Sequence, residues 1–540
     1  MEKTAQLSLS AHVDTFCRDN LPPFDQWPEF LFDLPEVQYP DRLNCAVELL
    51  DRVVERLGAD RPCLHAPGQT TWTYGDLLVA ANRIANHLVG RVGIVPGNRV
   101  LLRGPNNPWL VACWFGALKA GATVVTTMPL LRTSELSTID EIAKISVSLC
   151  DHRFLDDLAS AGFAAPTIAY GGTAADDLTQ LVTEQPATFE NVETAADDVA
   201  LLAFTSGTTG RPKATMHFHR DVLANADTFS RHVLRPSPDD VFTGTPPLAF
   251  TFGLGGIVVF PLHVGASTLL IEKATPAELA GLIHEYGATV CFTAPTAYRA
   301  MLSAGDQQRL TSLRAAVSAG EHLPAGTWHA FRDATGIAMI NGIGSTEMLH
   351  IFIAAAGDDI RPGSTGVAVP GYVAAVVDEA GEPVESGVTG RLAVKGPTGC
   401  RYLNDTRQLT YVQNGWNITG DTFCQDEEGY FWYQARNDDM IVSSGYNIAA
   451  PEVEEALMQH GDVVECAVVG APDDARGSVV KAFVVLRAGL TGDDAKVVEL
   501  QEFTKQQIAP YKYPRSLEFV DTLPRTATGK LQRFRLRQEA

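Results

Sequence analysis

Short apolar runs rich in β-branched residues alternate with stretches of helical spacing through most of this chain, and that alternation restricts the class of fold open to it. Arg99–Leu102, Ala122–Thr126 and Val199–Phe204 read as short buried strands. Tyr74–Val89 instead sets Leu77, Leu78, Ala81, Ile84 and Leu88 on one helical face. Strands separated by helices predict largely parallel layers, hence an α/β fold. With 540 residues the chain exceeds what one hydrophobic core serves. The expectation is a large multi-layer N-terminal domain with parallel-rich sheets, followed by a smaller domain.

The last part of the chain has a different pattern. A strand at Ile441–Ser443 is followed by a helix with Pro451 at its first position, strands near Val463–Val469 and Val479–Leu486, a helix near Asp493–Gln507 and a strand near Leu517–Val520. This is a compact α+β module. Its boundary is expected in the polar step Arg436–Asp439, between the aromatic run Tyr430–Tyr433 and the apolar Met440–Val442, which gives domains 1–437 and 438–540 with a hinge at Asp438.

Charge and composition exclude several classes. A formal net charge of −22 argues against a nucleic-acid or anionic-membrane binder, either of which needs a broad basic surface. The nine cysteines are scattered with no C-x-x-C pair, so they read as small buried apolar residues in a reducing compartment. The polar start, Met1–Ser10, lacks a secretory apolar region and points to a cytosolic protein. The uncharged run Ala249–Ile271 is interrupted by Gly253, Gly255, Gly256, Pro261 and Gly265, which predicts a helix, a turn and a buried strand rather than a membrane span.

The most specific segment follows the strand Val199–Phe204: Thr205, Ser206, Gly207, Thr208, Thr209, Gly210, Arg211, Pro212 and Lys213. Glycines and small hydroxyl residues let backbone N–H groups close around phosphate oxygens, and Lys213 adds positive charge. The Walker A spacing is absent, so P-loop NTPase chemistry is not supported. A flexible surface loop is the alternative for such a composition.

This segment resembles the phosphate loop of the adenylate-forming enzymes, which include acyl-CoA synthetases, firefly luciferase and the adenylation domains of nonribosomal peptide synthetases. Further matches follow in the family's order. In Asn341, Gly342, Ile343, Gly344, Ser345, Thr346 and Glu347, the resemblance places Thr346 at the α-phosphate and gives Glu347 the Mg²⁺, a role that suits a hard carboxylate. Ile343 stands where many members carry an aromatic residue against adenine, and Ser318, Ala319, Gly320 and Glu321 resemble the other adenine-side segment. Thr419-Gly420-Asp421 implies a carboxylate for the two ribose hydroxyls, joined by Arg436 of the hinge motif.

Near the C-terminus, Pro524–Lys530 resembles the motif whose lysine, here Lys530, bridges the substrate carboxylate and the α-phosphate during adenylation. Asp438 matches the hinge position. Ser443, Ser444 and Gly445 match the loop that lines the thiol tunnel after the small domain rotates. The resemblance implies ATP, Mg²⁺ and coenzyme A, with a homodimer as a possible assembly.

Pro247–Gly253 aligns with the family's substrate-side motif but lacks the aspartate of amino-acid-activating members, while Phe250, Thr251, Phe252 and Gly253 suit an apolar or aromatic acid. Ile343–Phe352 resembles benzoate-CoA and 2-aminobenzoate-CoA ligases, as do His12–Phe16, Asn20–Pro23 and Arg42–Cys45. The expected reaction is ATP-dependent formation of an aryl-CoA thioester through an aryl-AMP, with His350 lining the aryl pocket. Other readings are an enzyme that loads a carrier protein, a luciferase-like oxygenase and a catalytically silent nucleotide-binding scaffold.

Overall fold

The computed structural model describes residues 7–205, 211–436, 440–443, 446–473, 477–508, 512–525 and 531–540. The chain divides into two compact units, residues 1–374 with 394–418, and residues 375–393 with 419–540.

The larger unit is layered α/β. One six-stranded sheet runs in the order Thr167–Tyr170, Val147–Asp151, Arg99–Arg103, Thr123–Thr127, Val199–Thr205 and Lys213–Phe218; only the last strand is antiparallel to its neighbour. A nine-stranded sheet has a parallel centre of Ile340–Gly344, Ala315–Ser318, Val290–Thr293, Val241–Gly244, Ser267–Leu269 and Pro62–His65, with antiparallel strands at both edges. The near-continuous burial of Arg99–Arg103, Val147–Asp151 and Val290–Thr293 is what a parallel sheet covered on both faces requires.

Local signals start the helices. Thr73 and Asp76 exchange hydrogen bonds at the head of Tyr74–His87, and the Asn107 side chain accepts from the Leu110 amide at the head of Pro108–Lys119, with proline in the first turn. These two helices approach closely at Gly116, where an added Cβ would lie 2.6 Å from Ile84 Cγ2.

The run Ala249–Ile271 forms the expected helix, turn and buried strand. Thr251–Gly253, a widened π-helical stretch Leu254–Val259 and Phe260–Val264 form one helical run, which ends only at left-handed Gly265 before the strand Ser267–Leu269. Two glycines inside the helix serve packing: a Cβ on Gly255 would meet His350 Cδ2 at 2.3 Å, and one on Gly256 would meet Phe292 Cδ1 at 2.6 Å. No helix among the described residues is long and apolar enough to cross a membrane.

In the smaller unit, Val463–Asp473, Gly477–Leu486 and Ser516–Phe519 form a three-stranded sheet, accompanied by the hairpin Met440–Ser443 and Tyr446–Ala449. The helix Ala450–Met458 begins one residue before Pro451, and Asp494–Gln507 is capped by Asp493. Ile441, Ile448, Val453, Leu457, Val480 and Leu500 contribute to its separate core. Residues 375–393 and 419–436 also belong to this unit, ahead of the expected hinge.

Candidate active site

Lys213 opens the strand Lys213–Phe218, and its backbone pairs with Thr205 at the end of Val199–Thr205. The start and end of the predicted phosphate segment are thereby held side by side. The Lys213 ammonium lies 3.1 Å from Glu347 Oε1 and 4.3 Å from the centroid of Tyr402. Tyr402 donates its hydroxyl proton to Glu347 Oε1 at 2.6 Å and accepts from Lys213. A cation, a carboxylate and a phenol thus meet although they are far apart along the chain. Burial and the Glu347 carboxylate push the Tyr402 phenol up, which keeps it a proton donor.

Thr346 and Glu347 lie in the turn after the strand Ile340–Gly344. Gly344 must lack a side chain, since a Cβ would fall 2.4 Å from the His350 carbonyl, and Leu349 takes a left-handed φ of 71°. His217 Nε2 is 2.8 Å from the Thr346 carbonyl. Burial pulls the His217 pKa down to about 3, so the neutral ring donates its Nε2 proton to that carbonyl. Behind it, Arg401 pairs with Asp221, both fully buried, with the guanidinium 3.9 Å from the Phe218 ring centroid.

The two segments expected on the adenine side are adjacent through sheet pairing. Ser318, at the end of Ala315–Ser318, is in register with Asn341, and Ala319, Gly320 and Glu321 continue from that strand end. Gly320 has a φ of +87°, which favours glycine there. Asn341 Nδ2 donates to the Ser364 carbonyl at 3.2 Å. Gly342 and half-buried Ile343 pair with Ala354 and Ile353.

The acid-side segment leads to an aromatic enclosure. The His350 ring is buried among Phe260, Phe252, Phe229 and Phe292, at centroid distances of 4.5, 5.5, 5.6 and 6.2 Å. Burial lowers its pKa to about 3, opposed in part by the Phe252 backbone; neither ring nitrogen makes a hydrogen bond of full geometry among the described residues. Thr251 and Gly253 are buried, Phe252 is half-buried and Phe250 is partly exposed. A Cβ on Gly253 would clash with the Pro247 carbonyl at 2.2 Å.

In the smaller unit, Asp421 and Arg436 are opposite one another in the pairing of Trp416–Gln425 with Phe431–Arg436. Thr419 Oγ1 accepts from the Asp421 amide at 3.3 Å, and Gly420 has a φ of +79°. Ser443 is buried in the hairpin opposite Tyr446. Ser206, Gly207, Thr208, Thr209, Gly210, Asp438, Ser444, Gly445 and Lys530 lie outside the described residues.

The structure adds two residues that the motifs did not single out, Tyr402 and His217. Neither had a usable local signal: Tyr402 is brought in by pairing beside Lys213–Phe218, where Leu403 N donates to the Ala214 carbonyl and Thr215 bridges Tyr402, and His217 meets Thr346 across two different sheets. The Glu347 carboxylate is a hard oxygen donor of the kind that holds Mg²⁺ together with substrate phosphates, and its Oε1 also takes Lys213 and Tyr402.

Residues 50–402 match the model of the AMP-binding enzyme family, and residues 452–530 match the AMP-binding enzyme C-terminal domain. The chain is 34% identical over 513 residues to the benzoate–CoA ligase of Thauera aromatica, an alignment spanning 93% of this chain and 97% of that protein. The crystal structure of the anthranilate CoA ligase AuaEII in complex with anthranoyl-AMP is similar at a TM-score of 0.88 and 34% identity, over 94% of this chain and 99% of that one. A benzoate CoA ligase from Burkholderia xenovorans follows at 0.84 and 31%, over 92% and 100%.

The chain belongs to the AMP-binding family of adenylate-forming enzymes and stands close to its benzoate- and anthranilate-CoA ligases.

Proposed function

We propose that this AMP-forming acid–CoA ligase activates a benzoate-type acid, with 2-aminobenzoate as the first candidate and benzoate next. The observation that carries the reading is the enclosure of neutral His350 by four phenylalanines, one of them Phe252 of a substrate-side segment without a carboxylate for an α-ammonium group. A flat apolar ring gains most from such walls. Similarity to the anthranilate and benzoate ligases supports the same class of acid.

In the first half-reaction an oxygen of the acid's carboxylate bonds to the α-phosphorus of ATP, and pyrophosphate leaves. In the second, the CoA thiolate bonds to the acyl carbon, and AMP leaves. Lys213 holds positive charge against the phosphates, Thr346 orients the α-phosphate, and Lys530 neutralises charge between the reacting carboxylate and phosphorus. Mg²⁺ held by Glu347 supplies further charge neutralisation at the phosphates. Asp421 and Arg436 take the ribose, and Gly320, Glu321, Asn341 and Ile343 take the adenine side.

The domain assignment that supports alternation between the half-reactions is 1–437 and 438–540, with Asp438 as hinge. Rotation there withdraws Lys530 and brings Ser443, Ser444 and Gly445 to the thiol.

The test is pyrophosphate release and thioester formation with Mg-ATP, CoA and a panel of 2-aminobenzoate, benzoate, hydroxybenzoates, phenylacetate, a medium-chain fatty acid and acetate. Preference for 2-aminobenzoate or benzoate with an aryl-CoA product supports the proposal. Preference for an aliphatic acid sinks it, and pyrophosphate release without thioester points to a carrier protein as the acceptor.

A further inference from the structure

The loop that leads into the acid-side segment is tied to a different sheet by side chains outside the recognised motifs. This loop leaves the strand Val241–Gly244 of the nine-stranded sheet. Asn106 sits after Arg99–Arg103 of the six-stranded sheet and is only 4% exposed. Its Nδ2 donates to the Pro246 carbonyl at 3.0 Å, while its Oδ1 accepts from the Leu248 amide at 2.8 Å. Both ends of one amide are therefore used on one short loop. Thr126, in the neighbouring strand Thr123–Thr127, adds a hydrogen bond from Oγ1 to the Ala249 carbonyl at 3.2 Å.

Chemistry explains why an amide stands there. Pro246 and Pro247 have no N–H, so this turn offers few backbone donors for its own closure. Asparagine supplies a donor and an acceptor together, which neither aspartate nor a hydroxyl residue presents in the same geometry. Behind the loop, Leu248, Leu254 and Val258 face Leu102, Leu110 and Trp114 around an apolar void of about 10 Å³. Asn106 itself borders a separate, wider cavity of about 580 Å³ shared with Asn107, Arg153 and Glu272.

The adjacent Asn107 also joins the two sheets, but at a different place. Its Nδ2 donates to Asp151 at 3.0 Å and to Glu272 at 3.4 Å, and Arg153 bridges those same carboxylates. Across to the nine-stranded sheet, that tie ends on Glu272, after the strand Ser267–Leu269. Asn106 ends on the loop that continues directly into Phe250 and Phe252.

We propose that Asn106 is a positioning residue for the acid pocket: with Thr126 it fixes Pro246–Ala249 so that Phe252 stays against His350. This rests on the proposed acid site. Releasing the loop weakens recognition of the acid without altering the nucleotide groups, because Lys213, Thr346 and Glu347 are held by other strands and turns.

The test is steady-state kinetics of Asn106→Ala and Thr126→Val, varying acid and Mg-ATP separately and using whichever panel acid the unmodified enzyme prefers. Asn106→Ala is expected to raise the acid KM about 10-fold, the scale of one net hydrogen bond plus a buried unsatisfied group, with kcat changed less than about 3-fold and the ATP KM unmoved. Thr126→Val is expected to shift the acid KM in the same direction by about 2- to 3-fold. An unchanged acid KM, or equal losses for acid and ATP, overturns the proposal. If Asn106→Ala does not fold, the Thr126→Val split decides. A non-aromatic preferred acid removes the aryl reading, while the KM split on that acid still decides the role of Asn106.

Discussion

The Lys213–Glu347–Tyr402 cluster and the aromatic enclosure of His350 lie in the same compact unit but handle ionisable groups in opposite ways. Lys213, Glu347 and Tyr402 keep their polar atoms together and satisfy one another. His350 is stripped of charge by a surround of phenyl rings. Polar preorganisation pays off where negative charge must be stabilised, whereas a flat apolar substrate gains from walls that carry no charge. Specificity and chemistry are thus assigned to different side chains, so mutations should separate them.

The largest expected effect breaks the division on the chemical side. Lys530→Ala should reduce adenylation by about 10²–10³-fold, the scale of a lost charge-stabilising group, while thioester formation from supplied acyl-adenylate is largely retained. Single-turnover assays of the two half-reactions check this, and equal losses in both would sink the division of labour. Arg401→Met tests the support beneath the phosphate cluster. It strands Asp221 as a buried unpaired acid, with an expected cost of about 3–5 kcal/mol in urea unfolding at neutral pH.

On the acid side, His350→Ala should raise the acid KM by about 10-fold and narrow the preference among aryl acids, on the scale of 1–3 kcal/mol for pocket contacts. The ATP KM should stay unchanged; a matching rise in it would erase the contrast.

Acid stability sharpens the same comparison. His217, His219 and His350 have folded pKa values of about 3, below the unfolded value of 6.5. Above pH 6.5 both states are neutral and the contribution is full. As pH falls from 6.5 towards 3, the unfolded chain takes up protons that the folded protein refuses, so stability drops by on the order of 1 kcal/mol per pH unit for each histidine. Denaturant midpoints of the unmodified protein and His350→Phe across that window should show a shallower slope in the variant. The smallest effect is expected of Tyr402→Phe, a several-fold rise in the Mg-ATP KM with the acid KM unmoved, as for one hydrogen bond of about 1 kcal/mol.

Legibility followed the same divide. The strand Arg99–Arg103, the helix Tyr74–His87 and the C-terminal strands coincide with their hydrophobic periods within a few residues. Interactions within short segments leave such periods, and phosphate-loop chemistry leaves glycines and hydroxyl residues at fixed spacing. The run Ala249–Ile271 is the helix, turn and buried strand its composition suggested, but the reason for its glycines was not legible. The turn falls at Gly265, whereas Gly255 and Gly256 lie inside the helix and make room for His350 and Phe292 from elsewhere in the chain.

The sequence by itself determined the layered α/β class and the family to which the motifs at Thr205–Lys213 and Asn341–Glu347 belong, and it set the expectation of an aromatic acid. These rest on local spacing and on motifs whose residue types match their chemistry. Only the tertiary structure decided that Tyr402 joins Lys213 to Glu347, that His217 holds the Thr346 carbonyl and that Asn106 braces the loop before Phe250. Those partners are brought together by strand pairing and by contact between two sheets, and a pairing between distant residues leaves no period in the chain.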